Sequence, residues 1–370
     1  MSLSLKHEIE QLVATDGQPY QALVLTNANG MSITLVDVGA TWTSCIVPVA
    51  AEPSGSREVL LGCLDFSKQP SFMGTTVGRY ANRIYQGRFS IGDESYQITT
   101  NQSGNALHGG IVGFDKRRWS LVEHSTQFAM YSLVSKDGDQ GFPGELNVTV
   151  RYELTDDNSV EISYTAETDK PTVVNMTNHA YFNLLGADSG QVCLSHELSV
   201  NADQYLPTDS YGIPFGDLAQ VAGTSFDFNQ RKRINADWLS DEQQQNAKGY
   251  DHSFLLNTSC LEGGVAAEVV APDGSLSMSV YTDKPAMQFY TGNFLAGTPN
   301  RIQGAYLDYS GFALETQFLP DSPNHPEWPQ PSCILQPDQV YTLQRAIALM
   351  FRGICRANST TQWRTLVIES

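Results

Sequence analysis

The sequence of 370 residues contains no apolar run that approaches the roughly 18 residues needed to span a membrane. Its N-terminus also lacks the apolar core of a signal peptide and becomes acidic by Glu8. We therefore expect neither a membrane-spanning segment nor a membrane partner.

Positive charge is scarce. The 22 lysines and arginines face 40 aspartates and glutamates, which gives a formal net charge of −18 and a pI of about 4.6. The phosphates of nucleic acids and the headgroups of anionic lipids repel such a surface. We therefore do not expect nucleic acid as a partner.

Cysteines are few and follow no pattern. The six cysteines show no CxxC or CxxH spacing, so the sequence indicates neither a zinc site nor a disulfide framework. Free thiols are typical of a reducing compartment, so we expect a cytoplasmic protein.

Helical periodicity is also rare, because only Leu5–Val13 and Asp241–Lys248 have a helical pattern and both are short. Five prolines between Pro320 and Pro331 predict a loop. No internal repeat, low-complexity tract or linker divides the chain, which favours one domain.

Strand signals fill most of the remaining sequence. Asn29-Gly30 predicts a hairpin turn between Ala22–Thr26 and Ser32–Val38. Leu146–Leu154 alternates with a period of two, and the alternation resumes at Val160 after a polar turn. Many short strands at such spacing predict an all-β fold, a large single-domain antiparallel β-sandwich with few short helices.

Two stretches carry residues suited to acid–base chemistry. His179 lies between amides and aromatic residues at the end of a β-branched run, where it either transfers protons or is held inside a polar strand end. Glu315 lies within an apolar strand. If it is buried, its pKa rises toward the working pH of a base; the alternative is a wet face of an edge strand.

Three further stretches have the polar and glycine-rich character of a ligand site. Asn82-Arg83 offers an amide and a planar guanidinium, although a surface ion pair is the more common explanation of such a stretch on its own. His108 precedes two glycines, as many incidental loop histidines do. Asp251 and His252 are adjacent, so on a strand their side chains point to opposite faces and they do not form a pair.

These stretches together resemble the aldose 1-epimerase (galactose mutarotase) family. The resemblance covers roughly Asp16 to Tyr341 and is closest to the bacterial galactose mutarotases. The matching blocks, in chain order, are VGRYANRI (77–84), NALHGG (105–110), GDQGFPG (138–144), VVNMTNHAYFNL (173–184), GTSFDF (223–228), GYDHSF (249–254), QFYTGNF (288–294) and ALETQFLPDSPNHP (313–326).

The resemblance implies an enzyme that interconverts the α and β anomers of the free aldohexoses D-galactose and D-glucose, without a metal or an organic cofactor. It implies that Glu315 is the general base and His179 the general acid. It also implies a monomer or a weak homodimer. The residues that it assigns to sugar binding are Asn82, Arg83, His108, Tyr181, Asn183, Asp251 and Gln288.

Three other functions stay open at this point. A hexose-phosphate epimerase needs a cationic pocket, for which Lys116-Arg117-Arg118 is the available cluster. A glycosidase would use Asp251 with Glu315 as its two carboxylates. A sugar-binding protein without catalysis would need no acid–base pair.

The C-terminal segment departs from the family. Residues 343–370 contain four arginines and one acid, so their net charge is opposite to that of the whole chain. We expect residues 1–351 to form the domain, with Ala346–Phe351 as a closing strand. We expect residues 352–370 to be a tail, of unknown role, that lies away from the cleft.

Overall fold

The structure, a computed structural model, describes residues 2–50, 52–63, 66 and 72–351. The predicted tail at 352–370 therefore lies outside the described residues. Three α-helices occur in the described part, α1 (Ser2–Glu10), α2 (Glu242–Ala247) and α3 (Thr258–Leu261). None of them is long and apolar enough to cross a membrane.

Strands dominate the fold, as the sequence predicts. Those of the N-terminal half are β1 (Ala22–Thr26), β2 (Ser32–Val36), β3 (Thr41–Pro48), β4 (Ser56–Glu58), β5 (Thr76–Val77), β6 (Arg83–Ile84), β7 (Arg88–Ile91), β8 (Glu94–Gln97), β9 (Ala106–Leu107), β10 (Ser120–His124), β11 (Phe128–Ser135), β12 (Leu146–Leu154), β13 (Ser159–Thr168), β14 (Thr172–Val173) and β15 (Thr177–Asn178). Those of the C-terminal half are β16 (Glu197–Val200), β17 (Gln204–Leu206), β18 (Ala219–Gln220), β19 (Lys232–Arg233), β20 (Asp251–Leu255), β21 (Ala267–Val270), β22 (Leu276–Thr282), β23 (Ala286–Tyr290), β24 (Ala313–Gln317), β25 (Ile334–Leu335) and β26 (Tyr341–Phe351).

The largest sheet has nine antiparallel strands in the order β10-β11-β12-β13-β26-β22-β21-β16-β19. Its β12–β13 hairpin confirms the predicted alternation, because every second residue of β12 is buried and Val150 pairs with Tyr164. Inward-facing side chains of this kind supply the apolar core of a sandwich.

Strand β26 lies inside this sheet and pairs with β13 on one side and β22 on the other. The predicted closing strand, Ala346–Phe351, is therefore real but begins earlier, at Tyr341. A strand with two neighbours holds the sheet together, whereas an edge strand only ends it.

A five-stranded antiparallel sheet in the order β18-β17-β20-β23-β24 carries the second layer of the β-sandwich. Buried side chains from both sheets form one continuous core, which includes Tyr152 and Ile347 of the large sheet and Phe289 and Leu314 of the smaller one. The predicted all-β sandwich is thus confirmed.

The short elements agree with the sequence in part. The hairpin at Gly30 forms, because Thr26 pairs with Ser32 and the glycine has a φ of 82°. Helix α2 begins after its N-cap Asp241, whose side chain accepts a hydrogen bond from the Gln244 N–H. Helix α1 begins and ends three residues earlier than the periodicity predicts, and α3 is too short to leave a periodic signal.

Candidate active site

Glu315 occupies the centre of β24, a strand in which all five residues are buried. Its carboxyl group is 2% exposed, so the prediction of a buried carboxylate is confirmed over that of a wet edge. His179 follows β15 directly, and its backbone N–H donates to Thr75 O at 3.0 Å. Short strands thus fix the backbone on both sides of the site.

The two side chains face each other. Nε2 of His179 lies 3.4 Å from Oε1 of Glu315, and the imidazole is 4% exposed. The second atom of each group, Nδ1 of His179 and Oε2 of Glu315, has no hydrogen-bond partner among the described residues. A buried polar atom without a partner is costly, so these atoms suit a polar ligand in the cleft.

Burial moves the two pKa values in opposite directions. It raises the pKa of Glu315 from 4.5 to about 8, assisted by the negative charge of Asp251. It lowers the pKa of His179 from 6.5 to about 4. Between these values the pair holds one proton, which lies on Glu315 in the sugar-free protein. Paired acid and base catalysis requires one protonated and one deprotonated group, and a single proton shared by two facing groups meets this requirement.

Arg345 of β26 lies behind this pair, and in the sequence it stands out only as one of the four arginines in residues 343–370. It is 2% exposed, and its Nη1 donates to the backbone oxygen of Asn178 at 3.1 Å. Its charge lowers the pKa of Glu315, against the larger effect of burial. The central strand of the large sheet therefore contributes a positive charge to the site.

His108 completes a group of three with His179 and Glu315, whose ligand atoms lie within 4.8 Å of one another. Among the described residues, this is the one group of histidine, cysteine or acidic side chains arranged so that it could hold a metal ion. The backbone N–H of Asn82, however, donates to Nδ1 of His108 at 3.0 Å.

That hydrogen bond fixes the tautomer of His108. Burial holds its pKa well below 6.5, so the ring is neutral and carries its single proton on Nε2. A protonated ring nitrogen donates a hydrogen bond and does not bind a metal ion. The geometry therefore suits a sugar oxygen better than a cation.

Arg83 lies beside this group with its side chain 11% exposed. Its Nε donates to Oε1 of Gln102 at 2.8 Å, which aims the guanidinium, and its Nη2 lies 3.8 Å from Oδ2 of Asp251. Gly212 packs directly against the guanidinium, because a Cβ there would lie 2.6 Å from Cζ of Arg83. Neither Gln102 nor Gly212 has a sequence signal that connects it to Arg83.

Asp251 and Gln288 extend the polar wall. Nε2 of Gln288 donates to Oδ1 of Asp251 at 2.7 Å, and Gln288 is the register partner of Glu315 on the neighbouring strand. His252 packs instead against Phe226, with ring centroids 4.7 Å apart. The prediction that Asp251 and His252 do not form a pair agrees with this separation.

Aromatic rings surround the imidazole of His179. Tyr181 lies 4.8 Å away and Phe72 lies 6.2 Å away between ring centroids, and Phe72 also lies 4.4 Å from His108. Tyr290 closes the group at 6.4 Å from His179. Phe72 and Tyr290 were missed because a single aromatic residue in a strand or loop is usually core.

Asn183 differs from the other predicted sugar-binding residues, because both the nitrogen and the oxygen of its side-chain amide are hydrogen-bonded to the backbone. Its Nδ2 donates to the backbone oxygens of Gln191 and Ser310, its Oδ1 accepts from Leu185 N–H, and the residue is fully buried. These bonds join the loop of Asn183 to the segment of Ser310, which is a structural role. The assignment of Asn183 to sugar binding stays a prediction.

Two of the open alternatives fit the structure poorly. The predicted phosphate cluster is occupied, because Lys116 donates to a backbone oxygen, Arg117 pairs with Asp139 and Arg118 pairs with acidic residues. Asp251 is already engaged by Arg83 and Gln288, which suits an acceptor for hydroxyl groups better than a second catalytic carboxylate.

Comparison with known proteins gives a consistent result. The family model described as aldose 1-epimerase matches residues 21–347. The chain is 51% identical over 334 residues to aldose 1-epimerase of Escherichia coli, covering 89% of this chain and 95% of the relative. It is 40% identical over 316 residues to galactose mutarotase of Mus musculus, covering 84% and 89%.

Solved structures show the same likeness. An aldose epimerase homologue from C. elegans superposes with a TM-score of 0.80 at 25% identity, covering 90% of this chain and 99% of that one. A galactose 1-epimerase from Lactobacillus acidophilus superposes with a TM-score of 0.78 at 30% identity, covering 92% and 97%.

Proposed function

The chain belongs to the aldose 1-epimerase family, and from this we propose that it interconverts the α and β anomers of free aldohexoses, with D-galactose and D-glucose as substrates. The observation that carries the proposal is the buried pair of His179 and Glu315, 3.4 Å apart, within a wall of hydrogen-bonding side chains. Binding alone would not need this pair.

The reaction opens the hemiacetal, rotates the aldehyde about the C1–C2 bond and closes the ring on the other face. Opening removes a proton from the C1 hydroxyl and adds one to the ring oxygen. The enzyme accepts one proton and donates one, so its total number of protons does not change. Glu315 takes the first proton as its carboxylate, and His179 gives the second as its imidazolium. Each positioned acid or base contributes about 10²- to 10⁴-fold to the rate.

The free protein must therefore move its proton before the reaction begins. The proton passes from Glu315 to His179, whose facing atoms are 3.4 Å apart. A hydrogen bond from the C1 hydroxyl then stabilises the Glu315 carboxylate, as do the positive charges of Arg345 and Arg83. On closure of the ring both proton transfers run in reverse.

The remaining side chains hold the other hydroxyl groups while C1 stays free to rotate. Arg83 and the Nε2–H of His108 donate, and Asp251 accepts. Asn82 donates with its Nδ2, because its Oδ1 accepts from the Arg83 N–H. Gln288 accepts with its Oε1, which has no partner among the described residues, because its Nε2 donates to Asp251. Tyr181 offers an aromatic face to the C–H side of the ring.

Polarimetry tests this function. Freshly dissolved α-D-galactose and α-D-glucose should reach their equilibrium rotations much faster with the protein than without it. Glu315→Gln, which keeps the shape but cannot take a proton, should behave like buffer. A wild-type protein that binds galactose without accelerating mutarotation would instead be a sugar-binding protein.

The proposal includes the cellular location and the oligomeric state of the enzyme. We place it in the cytoplasm, which is supported by the free thiols of all five cysteines among the described residues. We also propose that it functions as a monomer or a weak homodimer. Activity that stays constant per chain across a range of protein concentrations would agree with this.

A further inference from the structure

The loop that follows Glu315 returns to the sugar-binding segment and contacts it at several points. Asp321 is six residues after Glu315, and its backbone N–H donates to the backbone oxygen of Arg83 at 2.8 Å. Its Oδ1 accepts a hydrogen bond from the N–H of Tyr85 at 2.9 Å. One residue thus holds the chain on both sides of Ile84.

The neighbours of Asp321 strengthen this connection. The N–H of Ser322 donates to the hydroxyl of Tyr80 at 3.1 Å, and that hydroxyl donates to the backbone oxygen of Leu319 at 3.4 Å. The chain from 319 to 322 is therefore tied to the chain from 80 to 85 by four hydrogen bonds.

Asp321 is itself held in one orientation. It is 3% exposed, and its backbone has a φ of 58°, in the left-handed region that aspartate and asparagine enter more readily than other residues with a side chain. Its Oδ1 also accepts from Nδ2 of Asn324 at 2.7 Å, and its Oδ2 lies 3.4 Å from Nε2 of His325. Both carboxylate oxygens are therefore engaged by neighbouring groups, which holds the side chain in one orientation.

From these contacts we infer that Asp321 is a positioning residue, which fixes the guanidinium of Arg83 relative to the carboxylate of Glu315 through the hydrogen bonds to Arg83 O and Tyr85 N–H. The inference rests on the proposed function, because it concerns how the sugar is held during that reaction. Asp321 acts through the backbone of Arg83 and takes no part in proton transfer.

The consequence is a separation of substrate binding from turnover. Glu315 and His179 are placed by β24 and β15, which do not depend on the carboxylate of Asp321. Removing that carboxylate breaks the hydrogen bond from Tyr85 N–H and leaves only the backbone bond to Arg83 O. The segment from Arg83 to Tyr85 is then less firmly held, so the sugar loses a well-placed donor while the acid–base pair stays intact. A loss of binding that is equal in ground state and transition state raises KM and leaves kcat unchanged.

Asp321→Gly is the sharpest perturbation. Glycine adopts a φ of 58° without strain, so the change removes the carboxylate without disturbing the backbone. We expect KM for D-galactose to rise about tenfold, which is about 1.4 kcal/mol, with kcat within about threefold. Asp321→Asn keeps an acceptor for Tyr85 N–H, so both constants should stay within about twofold of wild type.

Asn324→Ala is the matched control. It removes a hydrogen bond to the same Oδ1 atom but leaves the contacts to Arg83 and Tyr85 in place, and Asn324 is exposed. Its KM should equal that of wild type.

A double-mutant cycle shows whether the effect passes through Arg83. Arg83→Ala should itself raise KM, and adding Asp321→Gly should raise it no further. Additive increases, a fall in kcat with unchanged KM, or an Asp321→Asn variant as weak as Asp321→Gly would each overturn the inference. So would a KM of Asp321→Gly equal to that of wild type.

The wild-type protein separates this inference from the proposed function. Wild-type mutarotation by polarimetry tests the function alone. If it is absent, the function fails, and equilibrium binding of D-galactose to the same set of variants still decides the inference by the same comparison.

Discussion

Glu315 should make the protein less stable as the pH rises, and replacing it with glutamine should remove that dependence. Burial keeps the proton on Glu315 up to about pH 8 in the folded protein, whereas an ordinary glutamate releases it near pH 4.5. Between those values the unfolded chain is ionised and the folded chain is not. Stability is therefore highest below about pH 4.5 for this group and falls as the pH rises toward 8.

The size of the effect follows from the two pKa values. Each pH unit within the window lowers the free energy of unfolding by about 1.4 kcal/mol. From pH 5.5 to pH 8 the loss is about 3 kcal/mol, an upper value because the interior rearranges around a buried charge. Glutamine carries no titrating proton, so the stability of Glu315→Gln relative to wild type should grow by about 2–3 kcal/mol over the same range.

Urea denaturation of the two proteins at pH 5.5, 6.75 and 8 measures this difference. His179 acts in the opposite sense, because burial lowers its pKa to about 4 and its contribution to stability is lost as the pH falls below 6.5. That contribution is common to both proteins and cancels in the comparison. Glu123→Gln, on the exposed strand β10, is the control.

A stability difference that stays constant from pH 5.5 to pH 8 would refute the reasoning, because it would mean that Glu315 is already ionised at pH 5.5 in the folded protein. The expected result would show that the burial of Glu315, the proposed base, costs stability as the pH rises. The variant that we propose to be inactive would then gain stability relative to wild type toward pH 8.

Three further results are expected. The profile of kcat/KM against pH should be bell-shaped, with limits near the pKa values of about 4 for His179 and about 8 for Glu315, because the pair must hold one proton; a profile that is flat across pH 8 would contradict this. Gly212→Ala should raise KM by displacing Arg83, whereas Gly216→Ala, at a similar φ but with nothing within 4 Å of its Cβ, should not; equal effects would place the cause in the backbone. Deleting residues 353–370 should keep activity within about twofold, whereas deleting residues 343–370 should cause aggregation by removing β26 from between β13 and β22; an inactive shorter deletion would mean that the tail belongs to the fold or the site.

The strands could be predicted because their signal is local. Leu146–Leu154 shows its buried face in every second residue, and the structure reproduces both its bounds and its alternation. The same locality explains the misplaced bounds of α1 and the missing α3. A helix of nine residues with one buried side chain leaves little periodicity to read.

The site could be predicted in its residue types but not in its contacts. Glu315 and His179 stand out as polar residues in apolar surroundings, yet the distance between them depends on two strands that are far apart in the sequence. Asn183 has the same surroundings as His179, but its amide donates to the backbone oxygens of Gln191 and Ser310. Residue type and neighbourhood do not distinguish these two cases, because only the fold determines which partners are within reach.

Arg345 shows the limit most clearly. In the sequence it is the first arginine of a segment with reversed charge, and such segments are usually solvated. In the fold, β26 lies between the two long strands β13 and β22. Leu343 and Ile347 lie on the same face of β26 as Arg345, and all three are buried, with Arg345 behind Glu315. A buried cation without a nearby anion is unfavourable, so its presence there favours the ionised form of Glu315 and opposes the effect of burial on that group. A residue whose sequence context indicates a solvated segment therefore acts on the charge of the residue at the centre of the site.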